Sequence, residues 1–423
     1  MPLRVTALTA TEILDSRSRP TLLVSLEDEA GRKVTAGVPS GASTGSREAV
    51  ERRDGDVDRY GGLGVQRTVM AVEGEIAERL SGEEWRDLES VDRALITLDG
   101  TDDKGRLGAN AIVGVSMAFA RAFALGAGIP LYRSLERGSV ASRLPVPHFN
   151  VVNGGAHAQN GLAFQEFLLA PLGAPNVREA VRAGAEVYAA LKARLHADGM
   201  STGLGDEGGF APAISEPEQV LDLLVDAIGE AGYAAGRDGV AIALDPAASE
   251  FRRDDGLYEV GGSALSSGEM IERYAAIVDR YPVWSIEDGL AEDDQEGWVA
   301  LTERLGDGVQ LVGDDNFVTN PAIIRDAVEA GIGNAALIKL NQVGTVTETL
   351  EAIDVCRGAG YAQMISHRSG ETTDDFISDL AVGTGCGQLK SGAPARGERV
   401  AKYNRLIVLE REERLSYGLP GRP

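Results

Sequence analysis

Three apolar runs between Ile242 and Phe317 each end in acid: IALD at 242–245, WSIED at 284–288 and LVGDD at 311–315. A short β-type run that stops on a carboxylate delivers that oxygen to the carboxyl end of its strand, where α/β folds place their ligands. Asp245, Glu287 and Asp314 lie 42 and 27 residues apart. Each interval has room for a return helix, so the pattern predicts successive parallel strands whose tips converge at one barrel mouth. Each acid alone also suits the N-cap of the next helix or a solvated loop. The three together mark candidate ligands for a hard divalent cation.

The formal net charge of −24 argues against nucleic-acid or anionic-membrane partners, because both need clustered Lys and Arg. An anionic substrate would then require cations gathered at the site. Later strand ends supply them: IKLN carries Lys339, ISHRSGE carries His367, Arg368 and Ser369, and QLKSG carries Lys390. Lys339 follows Ala336, Leu337 and Ile338 and precedes Leu340. It is either a snorkelling surface lysine or a buried ammonium whose pKa a neighbouring metal lowers until it acts as a base. Arg368 and Ser369, on a Ser/Gly turn at a strand end, suit phosphate.

Residues 4–39 alternate and carry turn breaks, which predicts an antiparallel meander; helical spacing follows near 65–80, 87–97 and 109–127. Strands and helices in separate blocks make an α+β domain. A polar stretch closed by two prolines, ERGSVASRLPVP, sets the expected boundary, with a capping domain over 1–138 and a barrel domain over 139–423. Beyond it come two β-type runs, PHFNVVN and AFQEFLLAP, two helical runs near 176–198 and 216–231, and then strand–helix alternation. The fold class expected is α/β, a C-terminal (β/α)8 barrel with an irregular ββαα start behind a smaller α+β domain. Ala109 to Ile129 is apolar enough to resemble a membrane span, but Arg121 and its small residues fit a helix buried in protein. Cys356 and Cys386, both in apolar, helical-looking context, are expected to be buried free thiols. The start MPLRVTALTATEIL has no signal-type leader, and the expectation is a cytoplasmic protein.

On the early side of the barrel, NVVNGGAHAQN places His157 in a Gly-rich loop and AFQEF places Gln165 and Glu166 on a strand. His157 is either a loop histidine of structural use or a ligand to substrate. The loop STGLGDEGGFAP at 201–212 carries Asp206 and Glu207 between glycines. It is a hairpin turn, or a lid delivering a general acid.

Taken together, SGASTGSREA, NGGAHAQN with QEF, GDEGGFAP, ALDPAASEF, SIEDGL, VGDDNFVTN, LIKLNQVGTVTETL, SHRSGET and GQLKSGAPARGERVAKYN resemble the enolases, phosphopyruvate hydratases. The resemblance covers nearly the whole chain, in the same block order, and includes LGANAIVGVS at 107–116. It implies that Asp245, Glu287 and Asp314 hold one Mg2+ and that Ser43 is a loop ligand of a second. It implies further that Lys339 takes the C2 proton of 2-phosphoglycerate and Glu207 protonates the leaving 3-hydroxyl. His157, Gln165, Glu166, His367, Arg368, Ser369 and Lys390 would line the substrate, with Arg368 and Ser369 on its phosphate. A homodimer or octamer is the family's usual assembly. The chemistry is coherent, because the dianionic enolate left by loss of a weakly acidic C2 proton needs metal and ammonium charge around it.

Some positions depart from the family pattern: Ser18 and Arg19 replace Gly and Asn, YGGLGV at 60–65 lacks a lysine, and Ala156 and Gln159 flank His157. The last pair keeps open a specialised paralog such as carboxyphosphonoenolpyruvate synthase. Sugar-acid dehydratases and racemases of the wider superfamily are set aside, because FQEF stands where they carry a Lys-x-Lys pair. A non-catalytic scaffold fits poorly with the retention of every matched acid, lysine and arginine, groups that are costly to keep desolvated.

Overall fold

The computed structural model describes residues 2–42, 45–138, 140–158 and 160–421. Strands β1 (Leu3–Leu14), β2 (Pro20–Asp28), β3 (Lys33–Gly37) and β4 (Glu84–Trp85) form an antiparallel sheet in the order β3-β2-β1-β4. On β1 the buried set changes phase, from Leu3 and Val5 to Leu8 and Ala10. The register shift between Val5 and Ala7 explains it: one extra residue turns every later side chain to the other face.

A helical stretch over Gln66–Leu80, interrupted at Gly74, stands where the spacing near 65–80 predicted one, and helices α1 (Leu88–Asp99) and α2 (Ala109–Ala127) follow it in the small domain. Helix α2 is apolar and long enough to cross a bilayer, but 78% of its most apolar stretch is buried inside the protein. It lies directly on the sheet at Gly114, where a Cβ would come within 2.7 Å of Val24 and 2.8 Å of Val38.

The large domain closes eight strands into a barrel: β5 (Val146–Asn153), β6 (Glu166–Ala170), β7 (Ala241–Asp245), β8 (Val283–Glu287), β9 (Gln310–Gly313), β10 (Ala335–Ile338), β11 (Ala362–Ser366) and β12 (Gln388–Lys390). Around them run α3 (Val177–Ala197), α4 (Pro217–Glu230), α5 (Ser267–Arg280), α6 (Gln295–Leu305), α7 (Pro321–Ala330), α8 (Val346–Gly358), α9 (Phe376–Thr384) and α10 (Gly397–Glu412). The start is ββαα, as expected. Strand β6 runs antiparallel to both β5 and β7, while the other neighbours are parallel. A direct β5–β6 link allows only that direction, since a parallel pair needs a long crossover.

Two small features go beyond the expected elements. Tyr258–Val260 and Ser263–Leu265 form a hairpin closed by Gly261-Gly262, both at positive φ, which is the two-residue turn such a strand pair requires. Arg143–Leu144 pairs with Ser416–Tyr417. Both cysteines are buried and free, but only Cys356 sits in a helix; Cys386 lies between glycines ahead of β12.

Candidate active site

The expected acids stand where their strands end. Asp245 and Glu287 are the last residues of β7 and β8, and Asp314 follows β9. Lys339 follows β10, His367 follows β11, and Lys390 closes β12. His157 lies in a helical turn after β5, Glu166 opens β6, and Glu207 sits on the glycine loop between α3 and α4. One small cavity is lined by His157, Gln165, Glu166, Glu207, Asp245, Lys339, Ser366, His367, Arg368, Ser369 and Lys390. Most of the sequence candidates share this mouth; Glu287 and Asp314 do not line the cavity and reach it through Lys390 and Lys339. Ser43 and Gln159 lie outside the described residues.

Charge is concentrated and buried here. The Lys390 ammonium lies 2.9 Å from Asp245, 2.8 Å from Glu287 and 3.1 Å from Glu166. Lys339 Nζ donates to Asp314 Oδ2 at 2.5 Å. Burial works against the Lys339 ammonium, but Asp314 outweighs it and holds the group above the ordinary lysine range. Burial and the surrounding carboxylates drive Glu166 and Glu287 well above the ordinary carboxyl range. Asp315, desolvated beside Asp314, is pushed up to about 8. Such crowding of hard oxygen donors fits a divalent cation, which would neutralise charge that the two lysines only partly balance. Among the described residues, two groupings have ligand atoms within 4.8 Å of one another, His157–Glu166–Glu207 and Asp288–Asp314–Asp315; the expected Asp245–Glu287–Asp314 set is not one of them, its acids being held by Lys390 and Lys339 instead.

The acid side of the mouth is held by donors. Asn150 Nδ2 donates to Glu207 Oε2 at 3.0 Å, and His367 Nε2 lies 3.2 Å from the same oxygen. His157 Nδ1 is 3.5 Å from Glu166 and 3.8 Å from Glu207. Burial pushes His367 down to about 3 and lowers His157. Burial also opposes ionisation of Glu207, but His367, His157 and Arg399 prevail, so this carboxyl sits well below its ordinary range. The pair is thus a carboxylate facing a neutral imidazole. Among the described residues, Gln165 Oε1, Ser369 Oγ, His157 Nδ1 and His367 Nε2 are buried in the mouth with no hydrogen-bond partner. Buried polar atoms are nearly always paired, so these four suit a polar ligand.

Several supporting residues were not singled out from the sequence. Glu48, from the small domain, forms a forked pair with Arg368 at 2.9 and 3.1 Å. Gln342 donates to both Asp314 (2.8 Å) and Glu48 (3.2 Å). Asp288, at φ 42, accepts from the backbone N–H of Asp314 at 2.8 Å and of Asp315 at 2.9 Å, a double bond set that holds a strained residue and fixes the loop carrying Asp314. A Cβ on Gly45 would fall 2.6 Å from Val318 and 2.9 Å from the Asp315 carbonyl, so only glycine lets the small-domain loop come this near. Asp288 and Asp315 were readable as second acids behind the strand tips; Glu48 pairs across 320 residues and left no local signal.

Comparison with known proteins agrees with this geometry. Residues 5–135 match the family model for the enolase N-terminal domain, and residues 141–417 match that for the enolase C-terminal TIM barrel domain. The chain is 55% identical over 408 residues to an enolase of Rubrobacter xylanophilus and 54% identical over 408 residues to one of Acidothermus cellulolyticus; each alignment covers 96% of this chain and 94% of the relative. On its fold, its site and its relatives, the chain belongs to the enolase family.

Proposed function

We propose that this protein catalyses the reversible, Mg2+-dependent dehydration of 2-phospho-D-glycerate to phosphoenolpyruvate, the hydro-lyase step its enolase relatives are named for. The observation that carries it is the placing of a lysine and a carboxylate across one small polar mouth. Lys339 follows β10, and Glu207 stands on the far side, on a loop bridged to β5 through Phe210 and Val152. Removing a proton from C2 and expelling hydroxide from C3 requires a base and an acid on different sides of the substrate.

In this reading Lys339 is the base at C2, and Glu207 delivers its proton to the 3-hydroxyl. Arg368 and Ser369 take the phosphate, and His157, Gln165, Glu166, His367 and Lys390 line the rest of the substrate. The resting charges run opposite to these tasks, Lys339 protonated on Asp314 and Glu207 ionised. An incoming anion near Glu207 favours its protonation, and loss of the Asp314 contact frees Lys339 to deprotonate. Asp245, Glu287 and Asp314 would hold one Mg2+ and Ser43 would be a ligand of a second; when bound, the ions would supply positive charge against the negative charge that develops on the substrate. In this reading a small domain over 1–138 caps a barrel over 139–423 and contributes Glu48, and Ser43 would belong to it. A cytoplasmic homodimer or octamer completes the proposal, from the resemblance to enolases.

Enol-phosphate absorbance after mixing purified protein with 2-phosphoglycerate and Mg2+ tests the function. Turnover that a chelator abolishes and Mg2+ restores supports it. No turnover of 2-phosphoglycerate, with consumption appearing only when phosphonoformate is added, would replace it with the paralog reaction.

A further inference from the structure

Arg399, in the first turn of α10, is fully buried and has no direct role in the chemistry above. Its guanidinium gathers three parts of the molecule. Nη1 donates to His367 Nδ1 at 2.5 Å and to the Arg368 carbonyl at 2.7 Å. Nη2 donates to the carbonyls of Ser369 at 2.5 Å and Asp206 at 3.1 Å, and to Ser16 Oγ at 3.2 Å. The loop carrying His367, the loop carrying Glu207 and the small domain are thus joined through one side chain.

The contact with His367 has a chemical consequence. A guanidinium carries five N–H donors and no acceptor. Nδ1 of His367 must therefore present its lone pair, and the single proton of the neutral ring is on Nε2, the nitrogen that lies 3.2 Å from Glu207. We propose that Arg399 is a positioning residue of the acid arm, fixing the tautomer of His367 so that the nitrogen facing Glu207 across 3.2 Å carries the proton and can act only as a donor. The direction of the bond that this contact forms as the mouth tightens on substrate matters. A donor on Glu207 stabilises the carboxylate, which is the state reached as the proton leaves for the 3-hydroxyl. The opposite tautomer would accept from the carboxylic acid and stabilise the state before transfer. Arg399 thereby selects the tautomer that favours proton delivery, much as a second residue fixes a ligating or catalytic imidazole elsewhere. This inference rests on Glu207 being the acid of the proposed function.

The chain has four histidines, so long-range 1H–15N spectra of 15N-histidine protein resolve each ring. In the wild type, His367 is expected as the Nε2–H tautomer. In Arg399→Met it moves toward Nδ1–H while His148, His157 and His196 hold their states, and kcat falls about 100-fold or more, the order seen when one pre-set donor is lost, with KM nearly unchanged. A wild-type Nδ1–H ring, or an unchanged tautomer in Arg399→Met, overturns the proposal. Should Arg399→Met fail to fold, His367→Gln and His367→Asn carry the test. Glutamine places an amide donor near the Nε2 position and asparagine near Nδ1, so His367→Gln is expected to turn over at least about tenfold faster; equal rates overturn the proposal. A wild type inert toward 2-phosphoglycerate would defeat the proposed function and leave the tautomer result standing.

Discussion

Asp92 offers a quantitative test of how the small domain is seated. It is fully buried on α1 and accepts from the Thr347 backbone N–H at 3.0 Å and the Thr347 hydroxyl at 2.6 Å, at the start of α8 on the barrel. Burial raises its pKa from an ordinary 3.8 to about 6, against the hydrogen bonds of Thr347 and Ser116. A carboxyl raised on folding binds more protons in the folded state. It therefore favours folding fully below pH 3.8, and that contribution is lost as pH rises through about 6. The shift of about 2 units corresponds to about 3 kcal/mol, of which about 2 kcal/mol is lost between pH 4.5 and 7.5. Asp92→Asn keeps an acceptor for Thr347, offers its amide to Ser116, and does not titrate. Urea unfolding at pH 4.5, 6 and 7.5, with a constant m-value, should show the variant gaining about 2 kcal/mol on the wild type across that range. Parallel pH profiles for the two proteins would refute the reasoning, since they would mean that Asp92 is not a desolvated carboxyl at the domain contact.

Other outcomes follow from the same contacts. Lys390→Met strands Asp245, Glu287 and Glu166 and should lower stability by about 3–5 kcal/mol in chelator, as removing one partner of a buried ion cluster does; a loss below about 1 kcal/mol in urea unfolding would show those acids satisfied without it. Gly114→Val drives carbon into Val24 and Val38 and should lower stability by about 2 kcal/mol or more, read as a drop in Tm. Mg2+ at 100 times its Kd should raise the unfolding free energy by about 2.7 kcal/mol, and Asp314→Asn should remove most of that gain.

The sequence was most readable where chemistry sits at the end of a local pattern. Apolar runs tipped by Asp245, Glu287 and Asp314, and the later runs ending in Lys339, His367 and Lys390, stated both the strand and the face its ligand would reach. Strand direction was not readable: AFQEFLLAP alternates no differently for running antiparallel, and only its direct link to β5 imposes that sense. The Gly261-Gly262 hairpin was not among the expected elements, although a Gly-Gly pair between two short β-type runs is the signal for one. Long-range partners left no trace, because Asp92 with Thr347 and Glu48 with Arg368 are joined only by the folded chain, 255 and 320 residues apart. Arg399 carries no local signal in GERVAKYN, and only the packing of α10 against the barrel mouth gives it His367.

The division of labour between Lys339 and Glu207 is the central claim, and exchange of the C2 hydrogen of 2-phosphoglycerate with solvent tests it most directly. With Mg2+ present, Glu207→Gln should still exchange that hydrogen while forming almost no phosphoenolpyruvate, because the base works and the acid does not. Lys339→Ala should lose exchange and dehydration together. Exchange persisting in Lys339→Ala at the wild-type rate would contradict the account and move the base elsewhere in the mouth.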